Sequence, residues 1–365
     1  MAASPAQSRP PFTSGQVALP PRRWRVNVGV CGVVVLVIMS LLCFGSLPWT
    51  LGTVPAAAAE TDAATPTGMQ PRRYAATHLE GALLPPVWAA HTEDERARRN
   101  EAVAAGTPLP RYLLGSDQLG RDLLARLLLG GAISLSIGIL AAFIAVIIGT
   151  LYGSLAGACG GRIDAVMMRL VDIFFGLPTI LLVVLFAVAV DGVFERMDAA
   201  GREGMLAGLG EHRGLINLLT LFIAIGGVSW LTMARVIRGQ VLSLKARPFM
   251  EACRALGIPP HRQFFRHLLP NLLGPIIVYA TLAVPAAILT ESFLSFLGIG
   301  VREPLPSWGN LAAAGLNELN LVRSRWWMLL WPCLMIALTL LALNFAGEAL
   351  RDRYDLRRVE RANRT

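Results

Sequence analysis

The chain is poor in lysine, in charge and in clusters of reactive side chains, and each shortage excludes a class of function. Its single lysine, Lys245, is followed by Ala246 and Arg247. A G-x-x-x-x-G-K-[ST] phosphate loop therefore has no place in it, and any nucleotide hydrolysis coupled to this chain belongs to another polypeptide. The five histidines, His78, His91, His212, His261 and His267, form no H-E-x-x-H or Cys/His cluster, and no G-x-S-x-G elbow occurs. Cys31, Cys43, Cys159, Cys253 and Cys333 follow neither a metal-ligand spacing nor a secreted disulfide pattern, and read as small packing residues. The expectation is no catalytic residue, no metal and no cofactor on this chain.

What is abundant is apolar. Of 365 residues, 54% are hydrophobic and only 16% charged, the composition of an all-α polytopic membrane protein with about six transmembrane helices. The formal charge of +9 comes from arginines at the ends of apolar segments, without the aromatic interleaving of RNA-binding surfaces. It reports membrane topology and argues against nucleic acid.

Residues 1–25 are Pro-, Ser- and Ala-rich at first and end in Arg22, Arg23 and Arg25, a disordered cytoplasmic tail. The apolar run 26–46 is longer than a signal-peptide core and reads as an uncleaved first span. Residues 47–129 are extracytoplasmic and partly irregular. Their last part, 112–129, sets Leu119, Leu123, Leu124, Leu127 and Leu128 against Arg121, Asp122 and Arg126, with Ser116 and Asp117 as caps, and predicts an amphipathic helix along the outer membrane face. Residues 130–347 hold five further spans, near 132–156, 166–190, 214–236, 272–299 and 326–346. Residues 348–365 form a basic cytoplasmic tail. Gly149, Gly153 and Gly157, at four-residue intervals, predict close helix packing. Asp172 and Glu291 are carboxylates near the ends of spans, read as paired or capped.

Between the fourth and fifth spans lies LKARPFMEACRALGIPPHRQFFRHLLPN, 244–271, basic and amphipathic, hence cytoplasmic. Phe249, Cys253 and Leu256 recur at helical spacing, Gly257 is a helix stop, and Pro259-Pro260 turns the chain into a second helix that Pro270 ends.

Glu251-Ala252-Cys253, then Gly257, then Leu269-Pro270 resembles the EAA signature of the permease subunits of ABC importers. SWLTMARVIRGQVLSLK, ESFLSFLGIG, PSWGN and LGSDQLGRDLLARLLLGGAISLSIG are similar to the C-type subunit of its dipeptide, oligopeptide and nickel branch, so the likeness covers most of 112–353. Two departures stand out: Cys253 replaces the second Ala, and 191–213 resembles an insertion. The resemblance implies a type I importer permease fold and a coupling loop at 245–270. Its face toward an ATPase subunit would comprise Phe249, Glu251, Ala252, Cys253, Arg254, Leu256, Gly257, Phe264, Leu269 and Pro270. It further implies a multi-pass protein of the bacterial inner membrane with both termini cytoplasmic. Implied partners are a second homologous permease, two ATPase subunits that bind ATP and Mg, and a substrate-binding protein. Peptides are the implied solute and nickel chelates the alternative, since no residue here declares either. A self-contained secondary transporter is the competing class, disfavoured by the absence of an evident internal repeat.

Overall fold

The computed structural model describes residues 22–54, 70–104, 109–199, 213–319 and 324–362. Among these the chain is all-α, with short 3-10 turns, one π turn and three isolated bridges as its only other regular features. The expected tail before residue 22 and most of the insertion, residues 200–212, lie outside the described residues.

The helices are α1 (Arg22–Gly45), α2 (Leu47–Thr50), α3 (Glu93–Ala104), α4 (Leu123–Cys159), α5 (Gly161–Phe175), α6 (Thr179–Ala199), α7 (Arg213–Lys245), α8 (Pro248–Ala255), α9 (Pro260–Phe296), α10 (Trp308–Asn317) and α11 (Trp326–Ala362). Five are long and apolar enough to cross a bilayer, and six spans result if α5 and the start of α6 count as one. The core pairs α4 with α7 along their length; α9 packs on both and on α11, and α1 lies chiefly against α11.

Five local expectations are corrected. No separate amphipathic helix covers 112–129. Gly115 and Gly120 have φ +93 and +70, and the Asp117 carboxylate accepts from the backbone N–H groups of Leu119 and Arg121 at 3.0 and 2.9 Å. Those groups close a turn, so Asp117 caps the turn and Asp122 becomes the N-cap of α4, accepting from Leu124 N at 3.0 Å. Leu123, Leu127 and Leu129 are buried in the first turns of a 37-residue helix, about 55 Å long against a hydrocarbon layer of about 30 Å. Its first turns therefore stand beneath the cap formed by residues 70–104 and 109–122.

The span drawn at 166–190 is two helices meeting at 94°, broken where Gly176 and Pro178 interrupt the ladder. The basic tail is not separate either, because α11 continues to Ala362. Likewise α1 already begins at Arg22, inside the segment assigned to the tail. Finally, Pro270 does not end a helix: a π turn at Phe264–Leu268 immediately precedes it, and α9 runs on to Phe296. Helix ladders reorganised in this way accommodate a residue without an N–H.

Candidate functional site

The loop between α7 and α9 is a short helix hung from two long ones. Pro248 opens α8 at a position where its missing N–H leaves nothing unpaired. The helix closes in a Schellman arrangement: Ile258 N donates to Cys253 O at 3.0 Å and Gly257 N to Arg254 O at 3.0 Å. Gly257 supplies the left-handed residue this ending requires, φ +68. A Cβ built there would meet nothing within 4 Å.

Two faces of α8 divide its residues. Met250 and Cys253 are buried, at 1% and 6% exposure, and Met250 sits in a cluster with Ile237, Val241 and Leu244 of α7 and Leu268 and Leu272 of α9. Outward lie Phe249, Glu251, Ala252, Arg254 and Leu256, all exposed, with Leu256 at 78%. The Glu251 carboxylate has no hydrogen-bond partner among the described residues. Cys253 thus belongs to the anchor and not to the outward face. Phe264 is partly buried against the same cluster, whereas its neighbour Phe265 is 66% exposed. Leu269 is partly buried and Pro270 exposed.

The anchor extends through charge. Lys245 Nζ donates to Gly157 O and Ala158 O at 3.0 and 2.8 Å, capping the carbonyl end of α4 with a cation. Arg254 Nη2 in turn donates to Lys245 O at 2.8 Å. Arg238 makes a two-pronged pair with Asp164, 2.5 and 2.6 Å, and Arg235 reaches Asp172 at 2.7 Å. The partners of Asp164 and Asp172 are beyond the reach of sequence reasoning, because they lie more than sixty residues away on α7.

Gly149, Gly153 and Gly157 are buried on the α7 side of α4. Cβ atoms there would strike Met233, Ala234 O and Val241 respectively. The helices therefore touch backbone to backbone, and the loop hangs from a stiff pair.

The outer end carries a second network. Arg121 bridges Asp117 at 2.6 Å and Glu303 at 2.9 Å, and buried Arg126 reaches Glu303 at 3.0 Å. Burial draws the Glu303 carboxyl upward, but the Arg121 and Arg126 guanidiniums outweigh it and hold it below the usual range. Asp122 is different: desolvation dominates and lifts it from 3.8 to about 6, against the opposing hydrogen bond from Leu124 N and the charge of Arg73. Glu291, fully buried, accepts from Ser295 Oγ at 2.7 Å. Trp308 of the PSWGN motif is buried, and its Nε1 donates to Leu127 O at 3.1 Å. Among the described residues no group of three or more metal-ligating side chains occurs.

A family model described as the inner membrane component of binding-protein-dependent transport systems matches residues 149–360. The oligopeptide transport permease OppC of Escherichia coli K12 is 45% identical over 244 residues, 67% of this chain and 72% of that protein. The dipeptide transport permease DppC of Bacillus subtilis is 41% identical over 248 residues, 68% of this chain and 69% of that one. A solved structure of the inward-facing MetNI methionine ABC transporter aligns with a TM-score of 0.47 at 16% identity, over 63% of this chain and 96% of that one. A family match across more than half of the chain, joined by relatives spanning two thirds of it, establishes that this chain belongs to the inner membrane components of binding-protein-dependent transport systems.

Proposed function

We propose that this chain is the membrane-spanning permease subunit of an ATP-driven importer of di- and oligopeptides. The observation that carries the proposal is the outward face of α8. Phe249, Ala252 and Leu256 stand exposed beside Glu251, which has no partner among the described residues, on a helix whose other face is locked into the bundle. An exposed apolar patch flanked by an exposed carboxylate suits docking into a complementary protein groove. In this reading the groove lies on an ATPase subunit, which holds ATP and Mg. Two such subunits, a second homologous permease and a binding protein complete the importer. Closure of the ATPases displaces α8, and the bundle alternates between inward and outward access. The arginines at 22–25, around α8 and after residue 350 support a cytoplasmic side for these ends and for both termini. Peptide as the solute is supported by the relatives named for oligopeptide and dipeptide transport.

The test is Gly257→Asp in the assembled complex in proteoliposomes, with binding protein and peptide supplied. The new side chain meets open space within the chain and carries a left-handed strain of about 1 kcal/mol, so folding survives and the docking surface gains a charge. Peptide-stimulated ATP hydrolysis should disappear. Undiminished stimulation would sink the proposal.

A further inference from the structure

The α4–α7 pair is stiff, but α5 stands apart from it. Its backbone has few contacts with α7, and between them opens a cleft of about 730 Å3 lined by Val166, Met168, Arg169, Asp172, Arg235 and Arg238 among others. Its far side is an exposed apolar stripe, Ile163, Leu170 and Ile173, with no covering element among the described residues. One hydrogen bond, Tyr152 Oη to Met167 O at 2.9 Å, holds its middle to α4. The links from α5 to α7 are Val171, buried in the same apolar cluster as Val228 and Leu231 of α7, and two charged rungs. Arg238 grips Asp164 in the first turn of α5, and Arg235 grips Asp172 in its last turn while its guanidinium lies 3.9 Å from the centre of the Phe175 ring.

Spacing gives the rungs a mechanical meaning. Along α5 they are roughly 12 Å apart, along α7 roughly 4.5 Å. One rung would let α5 pivot, whereas two attachments at separate points fix its direction relative to α7. Immediately beyond the second rung comes the 94° elbow into α6. At the other end, α7 leads through Lys245 into α8.

From this geometry we infer that the Arg238–Asp164 and Arg235–Asp172 pairs are lasting ties that make α5 travel with α7 and α8. They deliver displacement of the docking helix to the elbow at Gly176–Pro178, and so to α6. The four residues are positioning residues: none touches the transported solute in this assignment. The inference rests on the reading of α8 as the ATPase dock and names the path by which its motion reaches the spans.

The experiment uses the complete importer in proteoliposomes. Arg238→Asp alone, and Asp164→Arg alone, should retain the ATPase subunits on purification but lower peptide-stimulated hydrolysis and uptake by about tenfold or more, the scale of a typical coupling energy. The reciprocal exchange carrying both changes should restore most of each. For the second rung, Asp172→Cys with Arg235→Cys in a cysteine-depleted complex should be impaired, and a short bis-maleimide bridging the two thiols should restore uptake. A merely structural role does not predict that gain. Loss of uptake on bridging would show that the rung must open and would overturn the inference. So would single reversals that keep wild-type stimulation, or a reciprocal exchange no better than either parent. If the wild-type chain retains no ATPase subunit, the functional reading falls instead.

Discussion

The outer end of α4 and the inner end of α7 are both built from arginines and carboxylates, and they are built to opposite specifications. At the outer end Arg126 and Asp117 have side chains 2% and 7% exposed, set beside the buried indole of Trp308 and the serine-held Glu291. At the inner end Arg235 and Asp172 are 36% and 55% exposed. Buried networks tolerate one arrangement because an unpaired charge inside is costly, while solvated pairs contribute little to stability and allow the helices they join to move against the rest. The outer end therefore defines the bundle, and the inner end transmits through it.

That contrast breaks most easily at Trp308. Trp308→Ala removes a fully buried indole and its bond to Leu127 O and should cost about 3–5 kcal/mol, read as a large drop in the thermal midpoint of the purified complex. Arg126→Met should follow at about 2 kcal/mol. That is below the range for a fully buried pair, because Glu303 is partly exposed and keeps Arg121.

Asp122→Asn sharpens the comparison through pH. The folded carboxyl titrates at about 6 against an ordinary 3.8, so the folded state binds the proton more tightly and stability falls as pH rises between those values. Asparagine still caps the helix. The variant should be more stable than wild type at pH 7, on the order of 1–2 kcal/mol after allowance for partial solvation. The gap should close as pH falls through 6 toward 4, and denaturation midpoints at several pH values would reveal it. A gap independent of pH would remove Asp122 as its source.

Leu256→Ala is the smallest change in stability and the most informative about function. At 78% exposure the change should alter stability by no more than about 0.5 kcal/mol, yet peptide-stimulated hydrolysis should fall because the proposed apolar docking patch is trimmed. Were Leu256→Ala to destabilise the complex as Trp308→Ala does, the two ends would not differ in kind.

Much of this was legible in the chain itself. Long apolar runs, arginine-marked ends and the glycines at 149, 153 and 157 depend on local composition or a single period. The helix ending at Gly257 depends on one backbone conformation that few residues adopt. The phase of α8 was harder. With apolar residues at 249, 250 and 253 on eight helical positions and at the cap, 256, periodicity cannot choose which face is inward. The walls of α7 and α9 decide, placing Met250 and Cys253 inside and leaving Phe249 and Leu256 out. The amphipathic reading of 112–129 failed for a related reason: the leucines follow a helical period, but Gly115, Gly120 and the Asp117 turn delay the helix until Leu123. Pairings such as Arg238 with Asp164 join distant stretches and leave no mark in either alone.

The solitary Lys245 gives the molecule an unusual label. A lysine-directed protease has one bond to cut in the whole chain, between Lys245 and Ala246, at the junction of α7 and the loop that carries α8. Amine-selective reagents likewise find one side chain, whose nitrogen is already engaged by Gly157 O and Ala158 O. Cleavage or acylation at that point would report on the loop's seating alone, without engineering, making the junction a native gauge of whether the helix is at rest or displaced.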